Sequence, residues 1–145
     1  MILLVGTGAF YCTWQNLDNF SKGRLKAILG NAEAQEQLAT YYLNLGLGEN
    51  GKPENLEDGL KWVRKAAEKG NAMAQFDLGA MYQRGKGVTK DEAEGLKWYR
   101  KAAENFRQGA ERGDVDAQLW FGVFYRDGIG MTKDPVEAYK WFVLA

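Results

Sequence analysis

Two stretches of this chain, YQRGKGVTKDEAEGLKWY from Tyr82 and YRDGIGMTKDPVEAYKWF from Tyr125, correspond position for position. Gly85 and Gly87 become Gly128 and Gly130, Asp91 becomes Asp134, and tyrosine to tryptophan is 16 residues in both. A looser copy, AQEQLATYYLNLGLGENGKPENLEDGLKWVRKAA, occupies residues 34–67, where Tyr42 and Trp62 lie 20 residues apart. Its loop therefore holds four extra residues, around Gly51 and Pro53. Such repetition constrains the fold more than composition does. Each copy must be one supersecondary unit, and a unit this small buries its apolar face only by stacking on its neighbours.

The unit reads as helix, tight turn, helix. Ala74, Leu78 and Tyr82 recur at steps of four, which is a helical stripe. Gly85 follows that stripe where a left-handed C-terminal cap belongs. Asp91 precedes a second stripe, Gly95, Trp98, Tyr99 and Ala102, as an N-cap would. In the last copy Pro135 follows the capping Asp134 at the favoured first helical position. Gly85-Lys86-Gly87 superficially suggests a phosphate loop. That loop requires Gly-x-x-x-x-Gly-Lys-Ser/Thr after a buried strand, and here the spacing differs and a helix precedes it. The segment reads as a bend.

Charge and composition narrow the function. At 145 residues the chain is one domain or one stack of repeats, with 19 Lys plus Arg against 19 Asp plus Glu. No net field draws in nucleic acid or an anionic membrane. Glu57, Asp58, Glu92 and Glu94 fall in first turns and Lys61, Arg64 and Lys65 in later turns, which suits the helix dipole without a ligand. One cysteine, Cys12, cannot form an intrachain disulfide. Histidine is absent, which removes Ser-His-Asp and Cys-His catalysis and the usual histidine metal ligands. No metal or cofactor is expected.

Each first helix carries Ala-Gln, an apolar residue, a small residue and tyrosine: Ala34-Gln35, Leu38-Ala39, Tyr42; Ala74-Gln75, Leu78-Gly79, Tyr82; Ala117-Gln118, Phe121-Gly122, Tyr125. Each second helix carries a small residue three before tryptophan: Gly59 and Trp62, Gly95 and Trp98, Ala138 and Trp141, with Lys-Ala-Ala ending the first two. This pattern over residues 30 to 145 resembles the Sel-1-like repeat family, relatives of tetratricopeptide repeats with a unit of about 36 residues. The resemblance implies an all-α solenoid of about three stacked antiparallel helix pairs, in a family whose members act as adaptors rather than catalysts. The expected division is a leader and capping helix or degenerate repeat over 1–29, then repeats over 30–69, 70–112 and 113–145. Gly70 to Gly113 is 43 residues, seven beyond the usual unit, so the middle repeat's second helix should be longer by about two turns.

In such stacks the first helices tend to line the concave face. The positions off the buried stripe are Glu33, Gln37, Thr40 and Asn44 in the first copy. They are Met73, Asp77, Ala80 and Arg84 in the second, and Asp116, Trp120, Val123 and Asp127 in the third. Trp62, Trp98 and Trp141 are expected to be core residues. Trp120 replaces Gln37 and Asp77, so it is either a groove hot spot or a packing residue. The expected partner is a protein or peptide, held in an adaptor role or as the neutralising partner of a secreted effector. A carboxylate-dependent glycan enzyme is the outside alternative, with Asp77 and Asp116 the only nominees among groove positions. The last copy ends WFVLA where the middle one has WYRKA, so either the natural chain continues or this apolar end is covered by something else, self-association included. MILLVGTGAFYC is too short to span a bilayer and lacks a basic flank; a cytoplasmic location is favoured, with export left open.

Overall fold

The computed structural model describes residues 53–145, with side chains from 57 onward, and residues 26–28, 30–31, 34–35 and 37–38 before them. The leader with Cys12 and Trp14, the helix expected over Leu17–Leu29 apart from its residues 26–28, and Glu33, Thr40 and Asn44 lie outside the described residues. Five helices follow in order: α1 Pro53–Glu68, α2 Ala72–Arg84, α3 Glu92–Glu111, α4 Val115–Asp127 and α5 Pro135–Leu144. Each packs against the next, giving an all-α solenoid.

The helix ends form where the sequence supplies caps. Asn71, Asp91 and Asp114 each accept a hydrogen bond from the backbone N–H three residues on, and Asp134 accepts from both Val136 and Glu137. The turns after α2 and α4 repeat one geometry. Gly85 and Gly128 take left-handed backbone angles, with φ of 67° and 72°, and their N–H groups donate to Met81 and Phe124 carbonyls. The backbone N–H of Asp91 then donates to the Tyr82 carbonyl, and that of Asp134 to the Tyr125 carbonyl, closing both loops.

Two devices hold the layers together. The first is a seam of small residues within each helix pair. A Cβ built on Gly79 would lie 2.6 Å from the Tyr99 ring, and one on Gly95 would lie 2.9 Å from the Gly79 carbonyl oxygen. Gly122 faces Phe142 in the same way, with 2.5 Å available. The second is a buried glutamine amide. Gln75 Nε2 donates to the Ala67 carbonyl at 2.9 Å, Gln118 Nε2 to Ala110 at 3.2 Å and Gln35 Nε2 to Ala27 at 2.7 Å. Each adds a side-chain donor to a carbonyl at the end of the preceding helix that also accepts the N–H of Gly70, Gly113 or Gly30.

α3 runs 13 residues beyond Trp98, whereas α1 runs six beyond Trp62. The seven additional residues carry Phe106 and Ala110 into a core with Ala102, Ala103, Ala117, Phe121 and Phe124. A separate core joins α1 and α2 through Leu60, Val63, Ala66, Ala67, Ala74, Leu78 and Met81. On its outer side the extension is braced by Arg107, which bridges Glu104 and Glu111 and holds the Glu104 carboxyl down at about 2.

Gly79→Val should destabilise the chain by about 1–3 kcal/mol, the usual result of forcing extra atoms into a filled seam. Chemical denaturation of the variant against wild type measures this, and an unchanged midpoint would show that α2 and α3 do not need their close approach.

Candidate functional site

The eight positions proposed for partner contact do not share one environment. Arg84, Asp116 and Asp127 are exposed, while Asp77, Ala80 and Val123 are half-buried. Met73 is also half-buried and packs on the aromatic core. Arg84 ends α2, and Asp116 sits in the first turn of α4. Asp127 is engaged by the neighbouring Arg126 at 2.7 Å. Gln37, the described member of the first copy's set, is exposed.

Trp120 makes packing contacts. Its ring stacks on Phe106 with centroids 5.8 Å apart and planes inclined by 17°, and it meets Phe76 at 5.6 Å. Phe76 in turn contacts Tyr99 and Phe124. The third copy therefore does use an aromatic at this position for packing. The reason is the lengthened α3, which brings Phe106 opposite α4. The sequence carried the signal in two places, a phenylalanine within the surplus residues and a tryptophan found only in the following copy. Neither Phe106 nor Phe76 was singled out from sequence.

The repeated tryptophans lie at the core's edge rather than inside it. Trp62, Trp98 and Trp141 are all half-buried. The Lys65 ammonium stands 4.6 Å from the Trp62 ring centroid, and that of Lys101 stands 4.2 Å from Trp98. Trp141 instead meets Phe121 edge-on at 5.1 Å. Beside α2, burial pushes the Tyr99 phenol up; nearby Arg84 opposes this shift and Asp77 adds to it.

Two open clefts lie elsewhere. One, of about 590 Å³, is lined by Ala67, Glu68, Gln75, Trp98, Lys101 and Asn105 among others, where α3 passes the end of α1. Its polar floor is already engaged, since Asn105 donates to the Gln75 amide oxygen at 2.7 Å. The other, of about 620 Å³, lies between α1 and the loop after α2, with Leu60, Arg64, Tyr82 and Gly87 in its wall. Neither Asp77 nor Asp116 lines either cleft. Among the described residues no group of three or more Asp, Glu, Cys or His side chains could hold a metal ion. No described helix is long and apolar enough to cross a membrane.

The Gly85-Lys86-Gly87 loop sits at the C-terminal end of α2, where exposed carbonyls repel anions. The N-terminus of α3 beyond it is closed by the Asp91 carboxylate, so the loop offers no phosphate cradle.

Lys86→Ala should leave stability within about 0.5 kcal/mol, as exposed changes do. Gly87→Val should destabilise measurably, because Gly87 has φ of 70°. Calorimetric titration with ATP should give no heat for either variant or for wild type. Trp120→Ala should cost about 2–4 kcal/mol, below the full aromatic range because the ring is half-buried. A thermal midpoint unchanged in Trp120→Ala would show that the stack on Phe106 contributes nothing.

The Sel1 repeat model matches residues 32–71, 72–105 and 115–145. The chain is similar to a Sel1 repeat protein from Oxalobacter formigenes of known crystal structure. The two are 36% identical over 86% of each chain, with a TM-score of 0.53. It is also similar to c5321, a protective antigen of uropathogenic Escherichia coli with an SLR fold, at 35% identity and a TM-score of 0.53. That match covers 88% of this chain but 25% of c5321. A comparison with curated proteins gave no match. The repeat pattern, the helix pairs and these likenesses agree: the chain belongs to the Sel1 repeat family.

Proposed function

We propose that this protein is a non-catalytic scaffold that holds a protein or peptide along the outward sides of α2 and α4. Sel1 repeats are generally protein-interaction modules, which supports the class of function. The observation that carries the surface assignment is the setting of Trp120. Its ring is half-buried, fixed by Phe76 and Phe106, and on a helix that also exposes Asp116 and Asp127. An aromatic held in one orientation loses little freedom when a partner covers it, which favours it as an anchor.

Arg84 on the neighbouring first helix supplies a cation, so the surface combines an aromatic centre with charges of both signs. Polar groups around such a centre steer the partner and fix its register more than they add affinity. The fold and the binding role thus draw on the same residue, with one side of Trp120 serving the core and the rest left for contact.

The test begins with affinity capture from the native host and identification of what is retained. Binding of that partner is then measured with Arg84→Ala plus Asp116→Ala, both exposed and outside the core. The pair should weaken binding about tenfold or more, roughly 1.4 kcal/mol, with an unchanged thermal midpoint. Wild-type affinity in this variant and in Trp120→Phe would remove the outward sides of α2 and α4 from the binding surface.

A further inference from the structure

An arginine recurs at the same place in successive second helices. Arg64 on α1 and Arg100 on α3 each stand two residues after the repeat's tryptophan and four after a leucine, Leu60 or Leu96. Each lies against the loop of the following repeat. Arg64 shares a cleft with Leu60, Tyr82, Gly87, Val88 and Thr89. Arg100 meets Leu96, Gly130, Met131 and Thr132 on one side and Tyr125 on the other. Position for position these are the same groups, with Met131 in the place of Val88. The glycine is what lets the loop settle there. A Cβ built on Gly130 would lie 3.0 Å from the Arg100 backbone nitrogen, and its φ of 68° matches the 70° of Gly87.

The other charges of these two clefts are already paired. Lys61 binds Glu57 and Asp58, and Lys90 binds Glu92. Asp91 caps α3. Glu104, in the second cleft, is held by Arg107. Among the described residues neither arginine has a carboxylate within ion-pair distance, and both side chains are exposed. Arg64 instead donates through Nη2 to the Tyr82 hydroxyl at 3.4 Å. That bond uses the hydroxyl oxygen and not its proton, so guanidinium and phenol present donors side by side. Beneath them lies an apolar wall, Leu60 with Val88 in one cleft and Leu96 with Met131 in the other. With 19 basic against 19 acidic residues in the whole chain, any attraction here comes from this local excess and not from net charge.

We propose that these two clefts receive an acidic, partly apolar segment of a partner protein, one carboxylate to each arginine. A guanidinium takes a carboxylate through two parallel N–H bonds, a geometry that lysine does not offer. The tyrosine hydroxyl adds a further donor, and an apolar side chain of the segment covers the leucine wall. One exposed ion pair contributes little. Two on the same segment make the second contact intramolecular, so the pair binds far more tightly than either alone. Repetition of the site along the stack supplies that second contact at a fixed spacing. A nucleic acid suits the clefts less, because its affinity comes from many phosphate contacts and the neighbouring Lys61 and Lys90 are engaged. This surface uses none of the side chains assigned to the outward sides of α2 and α4, so either assignment can fail without the other.

The experiment is fluorescence polarisation of a labelled peptide of repeated Leu-Glu-Gly-Glu units against the full chain, with a counterpart carrying glutamine for glutamate. Wild type should bind the glutamate peptide at least about tenfold more tightly, the expectation for two linked pairs. Arg64→Gln and Arg100→Gln should each weaken it by about fivefold, the upper end for one exposed pair, and together should remove the preference for glutamate. Their thermal midpoints should match wild type, since both side chains are exposed. Arg112→Gln removes an exposed cation at the end of α3, outside both clefts. It should leave affinity within about twofold at physiological ionic strength, where charges more than about 8 Å away are largely screened. Equal binding of the two peptides, or none of either, overturns the proposal. So does a glutamate preference that survives in the double variant, a loss in Arg112→Gln as large as in Arg64→Gln, or a labelled single-stranded RNA bound as tightly as the glutamate peptide.

Discussion

The fold depends on one hydrogen bond made three times. A helix that stops leaves its last carbonyls without donors, and burying such an end is costly unless a side chain reaches it. In this chain the side-chain amide of Gln35, Gln75 or Gln118 reaches back eight residues to the carbonyl of Ala27, Ala67 or Ala110. Each bond ties the first helix of one repeat to the second helix of the repeat before it. The turns can stay short because Gly30, Gly70 and Gly113 accept positive φ at that corner. Replacing the amide with an apolar group would remove this tie between repeats and leave each carbonyl only its backbone donor, Gly30, Gly70 or Gly113.

With the corner fixed, the rest of each repeat follows from size. Gly79 against Gly95, and Gly122 against Phe142, let paired helices approach until a ring of the second helix meets a glycine of the first. Tyr99 and Phe142 are those rings. α1 and α3 then each receive the loop of the following repeat, at Leu60 and Arg64 and at Leu96 and Arg100. The described repeats are thus related by contacts of one type, and among the described helices α3 departs from the pattern.

That departure accounts for the chain's individual character. Two added turns in α3 move the glutamine corner outward along the helix, so Gln118 bonds Ala110 rather than Ala103. The space beside the extension is filled by Phe76, Phe106, Trp120 and Phe124 in mutual ring contact. A residue that a regular repeat leaves polar, as at Asp77, has become part of the core at Trp120. The same event couples a packing residue to the proposed binding surface, since Trp120 belongs to both.

The sequence by itself determined the helix pairs, their caps and their stacking. Those are local or periodic properties: Gly85 after a stripe of four, Asp91 before the next, and small residues at matching positions. It also excluded histidine chemistry, because the chain has no histidine, and a phosphate loop, because the glycine spacing is wrong for one. The tertiary structure decided which outward residues face water and which face a neighbour, and here the regular pattern misled. Periodicity describes a helix's own faces, whereas the partner of Trp120 is set by where α3 ends, seven residues late and on a different element.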